Sequence, residues 1–234
     1  MRDRTIDFSA FEKKISVIFN DKDLLREAFT HRSYINENKG AVFSHNERLE
    51  FLGDAVLELV ITAYLFKKYP NETEGVLTSY RAALVNTNSI SAAAHELGMD
   101  DFLLLSRGEA RDTGKARQYI LANTFEAMIG AIYLDQGFDV AQTFIAESLF
   151  GKTDEIVRKE LWRDAKSTFQ EKAQEKVGIT PSYQVVDEYG PDHDKEFTVG
   201  VFLGDEQVAK ATGKSKQEAE QGAALRALVA RGWT

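Results

Sequence analysis

Residues 44–60, SHNERLEFLGDAVLELV, constrain this chain more than any other stretch. At the helical period of about 100° per residue, Leu49, Leu52, Val56, Leu59 and Val60 fall on one face. Glu47, Glu50 and Asp54 share a face roughly opposite, at spacings i, i+3 and i+7. The segment therefore reads as a helix with an apolar stripe to bury and three carboxylates side by side. Like charges at this spacing destabilise an isolated helix, and a bridging cation reverses that effect. Hard oxygen donors with no Cys or His among them suit Mg²⁺ or Mn²⁺. Two plainer alternatives stay open on spacing alone. Acids commonly form the wet face of an amphipathic helix. Ser44 and Glu47 also fit an S-x-x-E capping box, which gives Glu47 a structural task.

A second helix is expected over Tyr119 to Tyr133, YILANTFEAMIGAIY. Leu121, Phe125, Met128 and Ile132 form its apolar side, and Asn123 and Glu126 stand three apart on the other. Asn123 capping a helical turn, with Glu126 three residues on, is the structural alternative. Around these two helices the pattern predicts short helices over Ile6 to Phe19 and Leu24 to Phe29, the latter capped by Asp21. Thr30-His31-Arg32-Ser33-Tyr34 and a polar loop from Asn36 to Gly40 follow. Pro70 stops the long helix near Lys68. Further helical stretches run from Glu74 to Leu84 and from Ile90 to Leu97, the second ended by Gly98. Asp100 or Asp101 could cap a short element, and a polar loop then leads to Arg117. Arg107, Lys115 and Arg117 could meet a phosphate backbone, or simply be solvated. Phe138 to about Leu161 predicts one more helix.

The texture changes after Trp162-Arg163-Asp164-Ala165. Lys166 to Lys176 reads as a helix, then Ser182 to Asp187, Glu196 to Leu203 and Gln207 to Thr212 read as strands. Phe197, Val199, Val201 and Leu203 alternate as a half-buried strand requires, and Gly190-Pro191 marks a turn. Ser215 to Ala230 closes the chain as a helix, with Ser215 and Glu218 as a capping box. Ala219, Gly222 and Ala223 would let it approach the sheet closely. The fold class expected is an all-α domain, residues 1–160, followed by a small α+β domain of order α-β-β-β-α, residues 166–234.

Composition narrows the function. The 234 residues contain no cysteine, which removes disulfides, thiolate zinc sites and a cysteine nucleophile. The first residues lack the apolar core of a signal peptide, and no run reaches the roughly 18 apolar residues of a membrane span. A cytoplasmic protein with no membrane partner and no organic cofactor is expected. The net charge of −8 argues by itself against a nucleic-acid partner. Any RNA binding must rest on local basic clusters and bound metal.

The wording of the two acidic helices points further. NERLEFLGDAVLELV closely resembles the signature helix of ribonuclease III, the double-strand-specific RNA endonuclease, and a THRSY-like segment occupies the same place in that family. YILANTFEAMIGAIY resembles the family's second acidic motif, whose pair completes the metal site begun by Glu50 and Asp54. The C-terminal order of elements resembles a double-stranded RNA-binding domain. In that resemblance Ser167, Gln170, Glu171 and Gln174 match the minor-groove face of the first helix, where polar groups suit 2′-hydroxyls and base edges. His193 lies in the loop that reaches a second minor groove. Lys214 and Lys216, in Gly213-Lys214-Ser215-Lys216, stand at a helix N-terminus that favours phosphate. The similarity spans about Ile6 to Val229.

The resemblance implies hydrolysis of double-stranded RNA, including structured ribosomal and messenger RNA precursors, to 5′-phosphate and 3′-hydroxyl ends by a homodimer. It implies Mg²⁺, with Mn²⁺ substituting, held by Glu50, Asp54, Asn123 and Glu126. Asp54 and Glu126 would be the catalytic groups, and Glu47 a supporting neighbour. Two departures stand out: Asn123 replaces an acid that is commonly Asp, and Gln217 interrupts a usual basic run. The rival reading is a non-cleaving protein that holds duplex RNA on a nuclease-like scaffold. Asn123 favours it, and intact Glu47, Glu50, Asp54 and Glu126 oppose it.

Overall fold

The computed structural model describes residues 6–40, 43–159, 164–191 and 195–233. The chain divides into two compact units, Met1–Trp162 and Arg163–Thr234. The first described helices are α1 (Ser9–Ile15), α2 (Lys22–Ala28), α3 (Arg32–Glu37) and α4 (Glu47–Lys68). Then come α5 (Glu74–Leu84), α6 (Thr87–Glu96), α7 (Lys115–Gln136), α8 (Phe138–Leu149) and α9 (Thr153–Arg158). Their starts follow capping chemistry. Asp21 accepts from the N–H groups of Asp23 and Leu24, Thr73 from Val76, and Asn86 from Ser89. Gly98 ends α6 in the left-handed region, at φ 69°, which a residue without a β carbon adopts cheaply.

α7 is the axis of this unit. Ile120, Leu121, Ala122, Thr124, Phe125 and every residue from Ala127 to Ile132 are buried. A helix apolar all round belongs inside a core, and α4, α6 and α8 pack around it. Phe125 is fully buried; truncating such a side chain costs about 3–5 kcal/mol.

Several local expectations change. The Ser44–Glu47 capping box does not form: α4 begins at Glu47 behind Asn46. Asn46 is buried, its Nδ2 donates to Ala28 O at 3.1 Å and its main-chain N–H to Thr30 O at 2.9 Å. The start of α4 is thus tied to the end of α2 rather than capped by its own upstream serine. The THRSY segment becomes a short helix, α3, capped by His31. Asp100 lies inside a 3₁₀ turn, Met99–Phe102, where it receives His95 Nδ1 at 2.7 Å. The single helix expected from Phe138 breaks at Phe150–Lys152 into α8 and α9; residues 160 and 161 lie outside the described residues.

Leu59 is the informative correction. The inward residues of α4 are Leu49, Gly53, Val56, Leu57, Val60, Ile61 and Leu65. Leu59 is 58% exposed, and Phe51 and Phe66 are 81% and 73% exposed. At 100° per residue these three form a second apolar stripe on the far side of the helix. Glu50 and Asp54 therefore lie at the edge of the buried stripe, beside α7, and not opposite the core.

The second unit runs α10 (Ala165–Val177), β1 (Ser182–Tyr189), β2 (Glu196–Leu203), β3 (Glu206–Gly213) and α11 (Lys216–Arg231). The strands form one antiparallel sheet in the order β1-β2-β3. Val201, Leu203 and Ala211 pack with Phe169, Ala173, Ala223, Ala224 and Ala227 of the two helices. A β carbon on Gly222 would sit 2.9 Å from Ala211 Cβ, so the small residues do set the close approach of α11. Among the described residues no helix is long and apolar enough to cross a membrane.

Candidate active site

Two glycines position the acidic residues. A β carbon on Gly53 of α4 would lie 1.7 Å from Glu126 O, and one on Gly130 of α7 would lie 2.2 Å from Leu49 O. Only glycine at both positions lets the two backbones touch there. Each contact sits one residue from Asp54 or four from Glu126, so the crossing itself delivers the acids to one patch.

The electrostatics of that patch follow from its crowding. Burial pushes Glu126 up to about 7, with the charges of Asp54 and Glu50 adding to the effect. Burial also raises Glu50, helped by Glu47 and Asp54, while a hydrogen bond from Asn123 works the other way. Asp54 is raised by burial and by Glu58. Glu47 is exposed and faces Arg32 Nη1 at 3.5 Å and His45 Nδ1 at 3.7 Å. The structure thus brings Glu50, Asp54, Asn123 and Glu126 together, with Glu47 beside them. Asn123 lies in mid-helix, so its reading as a cap at a helix terminus fails.

The donor set fits a hard divalent cation: carboxylates and an amide, each acid disfavoured as an anion by its neighbours. As the side chains are placed, no three carboxylates or imidazoles among the described residues close on a common ion position.

The supporting segment was not visible from the sequence. Leu104 N donates to Phe29 O at 2.9 Å, His31 N donates to Leu104 O at 3.1 Å, and Thr30 pairs with Leu104 as a parallel bridge. His31 Nδ1 accepts from Ser33 N at 3.3 Å and so caps α3, and burial pushes its pKa down. These contacts, with Asn46, fix the N-terminal end of α4. The signal was a lone Asn before the acidic run, which reads equally well as a surface cap.

The basic loop residues are mostly committed elsewhere. Arg117 donates to the main-chain oxygens of Glu109, Ala110 and Asp112. Arg107 faces Glu37, through its N–H at 2.8 Å and its Nε at 3.5 Å.

In the second unit Ser167, Gln170, Glu171 and Gln174 are all exposed on α10. Ser167 Oγ also donates to Asp164, the cap of α10, at 2.7 Å, and Gln174 Nε2 donates to Thr180 Oγ1 at 2.5 Å. Lys214 and Lys216 flank Ser215, whose hydroxyl accepts from Glu218 N at 3.2 Å. Lys216 Nζ lies 5.5 Å from the Phe197 ring centroid. His193 lies outside the described residues.

Comparison with known proteins finds two family models along the chain. Residues 21–153 match a family model described as Ribonuclease-III-like, and residues 165–229 match one described as double-stranded RNA binding motif. A protein named Ribonuclease 3 from Geobacillus thermodenitrificans is 44% identical over 96% of this chain and 91% of its own length. One of the same name from Bacillus velezensis is 46% identical over 95% of this chain and 89% of its own length. A solved nuclease domain of ribonuclease III from Campylobacter jejuni superposes with a TM-score of 0.55 at 42% identity, covering 61% of this chain and 98% of that one. That structure is described as showing structural flexibility in a region involved in dimer formation.

Proposed function

The chain belongs to the ribonuclease III family and is an endoribonuclease with a C-terminal double-stranded RNA binding motif; from that premise we propose that it cuts duplex RNA at the patch where α4 crosses α7, using a divalent cation. The observation that carries this reading is the Gly53–Gly130 crossing, which crowds Glu50, Asp54 and Glu126 into mutual repulsion. Crowded, half-buried acids favour a compensating positive charge.

Glu50, Asp54, Asn123 and Glu126 would hold Mg²⁺, or Mn²⁺ in its place. When bound, the cation supplies an activated water and charge stabilisation at the phosphate and the leaving 3′-oxygen. Asp54 and Glu126 face the reacting phosphate. Glu47, drawn toward Arg32 and His45, holds the outer edge of the patch. The bond broken is between phosphorus and the 3′-oxygen, which leaves 5′-phosphate and 3′-hydroxyl ends. Ser167, Gln170, Glu171 and Gln174 would face the minor groove, and Lys214 and Lys216 the phosphates, with His193, which falls between β1 and β2 in the sequence, as a further contact.

The outward stripe of α4 supports a homodimer. Phe51, Leu59 and Phe66 are too large and too exposed to be scattered surface apolar residues. Two such stripes covering each other would present two acidic patches, one for each strand. Ribosomal and messenger RNA precursors with long paired segments are the substrates this reading favours, and the cytoplasm is where it places the protein.

The test is a long uniform duplex RNA incubated with the full chain in Mg²⁺ and in EDTA, with the ends of the products analysed. Cutting in Mg²⁺ alone, to 5′-phosphate ends, is expected. Duplex that stays intact in both Mg²⁺ and Mn²⁺ while bound to the protein would return the non-cleaving scaffold.

A further inference from the structure

A cleft of about 550 Å³ opens in the first unit, lined by α6, the 3₁₀ turn Met99–Phe102 and the start of α7. That volume falls in the range of small-molecule sites, roughly 300–1,000 Å³. Leu121, which is buried, and Ala92 give it an apolar wall. The other lining groups are polar. Ser91 is 4% exposed, and its hydroxyl donates to Asn88 O at 3.2 Å, which leaves the oxygen able to accept. The side chains of Asn88, Thr113 and Gln118 have no hydrogen-bond partner among the described residues. Arg117 is the cation of the cleft. Its Nε donates to Asp112 O at 3.2 Å, and its Nη2 to Glu109 O at 3.3 Å and Ala110 O at 3.2 Å. These carbonyls fix the guanidinium plane. Nη1 has no partner among the described residues, and no carboxylate there pairs with the charge. Asp100 is the one acid among the described lining residues, and His95 Nδ1 engages it at 2.7 Å.

We propose that this cleft binds a free mononucleotide, with its phosphate on Arg117 Nη1 and the Asn88 and Gln118 amides, and its base against Ala92 and Leu121. A phosphate asks for several convergent donors, at least one of them charged, and a planar guanidinium suits it best. Arg117 is already held in place by the loop, so binding does not have to order it. A flat base asks for an apolar wall with hydrogen-bonding groups at its edge, which Leu121, Ala92, Ser91 and Thr113 supply. The cleft shares no residue with Glu50, Asp54, Asn123 and Glu126, and it needs no cation. It therefore stands apart from the reading of the acidic patch.

Calorimetric titration of the full chain tests this in EDTA, which removes any metal that could bridge phosphate to the acidic patch. Adenosine 5′-monophosphate should bind once per chain with a Kd of about 1 mM or tighter. Adenosine, which lacks the phosphate, should bind roughly tenfold more weakly, as the loss of a charge-assisted contact requires. Asn88→Asp puts a carboxylate on the lining and suits the first turn of α6. It should weaken the monophosphate roughly tenfold and leave adenosine unchanged. Ala92→Leu narrows the cleft from an exposed helix position and should weaken both ligands. The Tm of each variant should match wild type, which separates lost binding from lost fold. A short RNA duplex should not displace the monophosphate. Absence of binding at millimolar monophosphate overturns the proposal. So does adenosine binding as tightly as its monophosphate, or wild-type affinity in both variants. Displacement by the duplex overturns the free nucleotide and assigns the phosphate in the cleft to an RNA strand. Duplex cutting in Mg²⁺ is read in a separate assay, so this proposal and the cation reading fail independently.

Discussion

Gly53 of α4 is in backbone contact with Glu126 of α7: a β carbon at residue 53 would lie 1.7 Å from the Glu126 main-chain oxygen. The obstructing atom is backbone, so no rotamer change can relieve the clash. Gly53→Ala must therefore push the two central helices apart. We expect a loss of about 3 kcal/mol or more, at or beyond the top of the usual range for overpacking, and loss of cleavage. Gly130→Ala should behave alike, since its β carbon would meet Leu49 O at 2.2 Å. Urea unfolding gives the stability and a duplex-cutting assay the activity. A wild-type midpoint for Gly53→Ala would mean that the crossing does not depend on glycine.

Glu126 is disfavoured as an anion by burial, by Asp54 and by Glu50. Glu126→Gln keeps the shape and removes the charge, so Tm in EDTA should stay level or rise. Cutting should vanish, and affinity for duplex RNA should remain, because the polar face of α10 and the lysines at the start of α11 lie in the other unit. Cleavage and gel-shift measurements on one duplex separate these effects. Undiminished cutting would remove Glu126 from the chemistry.

The parts legible in the sequence are those that one segment decides alone. The helical periods of α4 and α7, the caps at Asp21 and Ser215, the stop at Gly98 and the alternation of β2 are local, and they were readable. The acids of the candidate site share a local spacing on each helix, which is why they stood out in the sequence. Tertiary packing decided the rest. Leu59 shares the apolar period of α4 yet faces outward, because α4 has two apolar stripes and the period does not say which one meets α7. Glycine ordinarily weakens a helix interior, and only the partner backbone explains why Gly53 and Gly130 stand there. Asn46 replaces Ser44 at the start of α4 because its side chain reaches a carbonyl of α2, a contact 18 residues away in sequence.

Lys214 and Lys216 bracket the start of α11, where Ser215 already serves the helix as its cap. Their ammonium groups are therefore the replaceable part of any phosphate contact there. The double change to Ala should weaken duplex binding and reduce the salt slope by about one to two, since each phosphate contact releases about 0.9 of a counterion. Binding isotherms at several salt concentrations check this. An unchanged affinity and slope would move the phosphate contacts elsewhere.

Leu59 offers the cleanest separation of fold from assembly. It is 58% exposed in the single chain, so Leu59→Lys should change the stability of one protomer by no more than about 0.5 kcal/mol, as surface substitutions do. In a dimer built on the outward stripe of α4 the same lysine would be buried against Phe51, Leu59 or Phe66 of a second copy. Burying an unpaired ammonium there costs several kcal/mol, and one to two would already weaken assembly by roughly five- to thirtyfold. Sedimentation of Leu59→Lys should show a monomer at concentrations where wild type is a dimer, with the helical signal intact. Cutting should then fall in proportion to the dimer lost, if the two patches must act on one duplex. A Leu59→Lys protein that still dimerises would place the contact on another face, and a monomer that cuts both strands at the wild-type rate would detach assembly from the reaction.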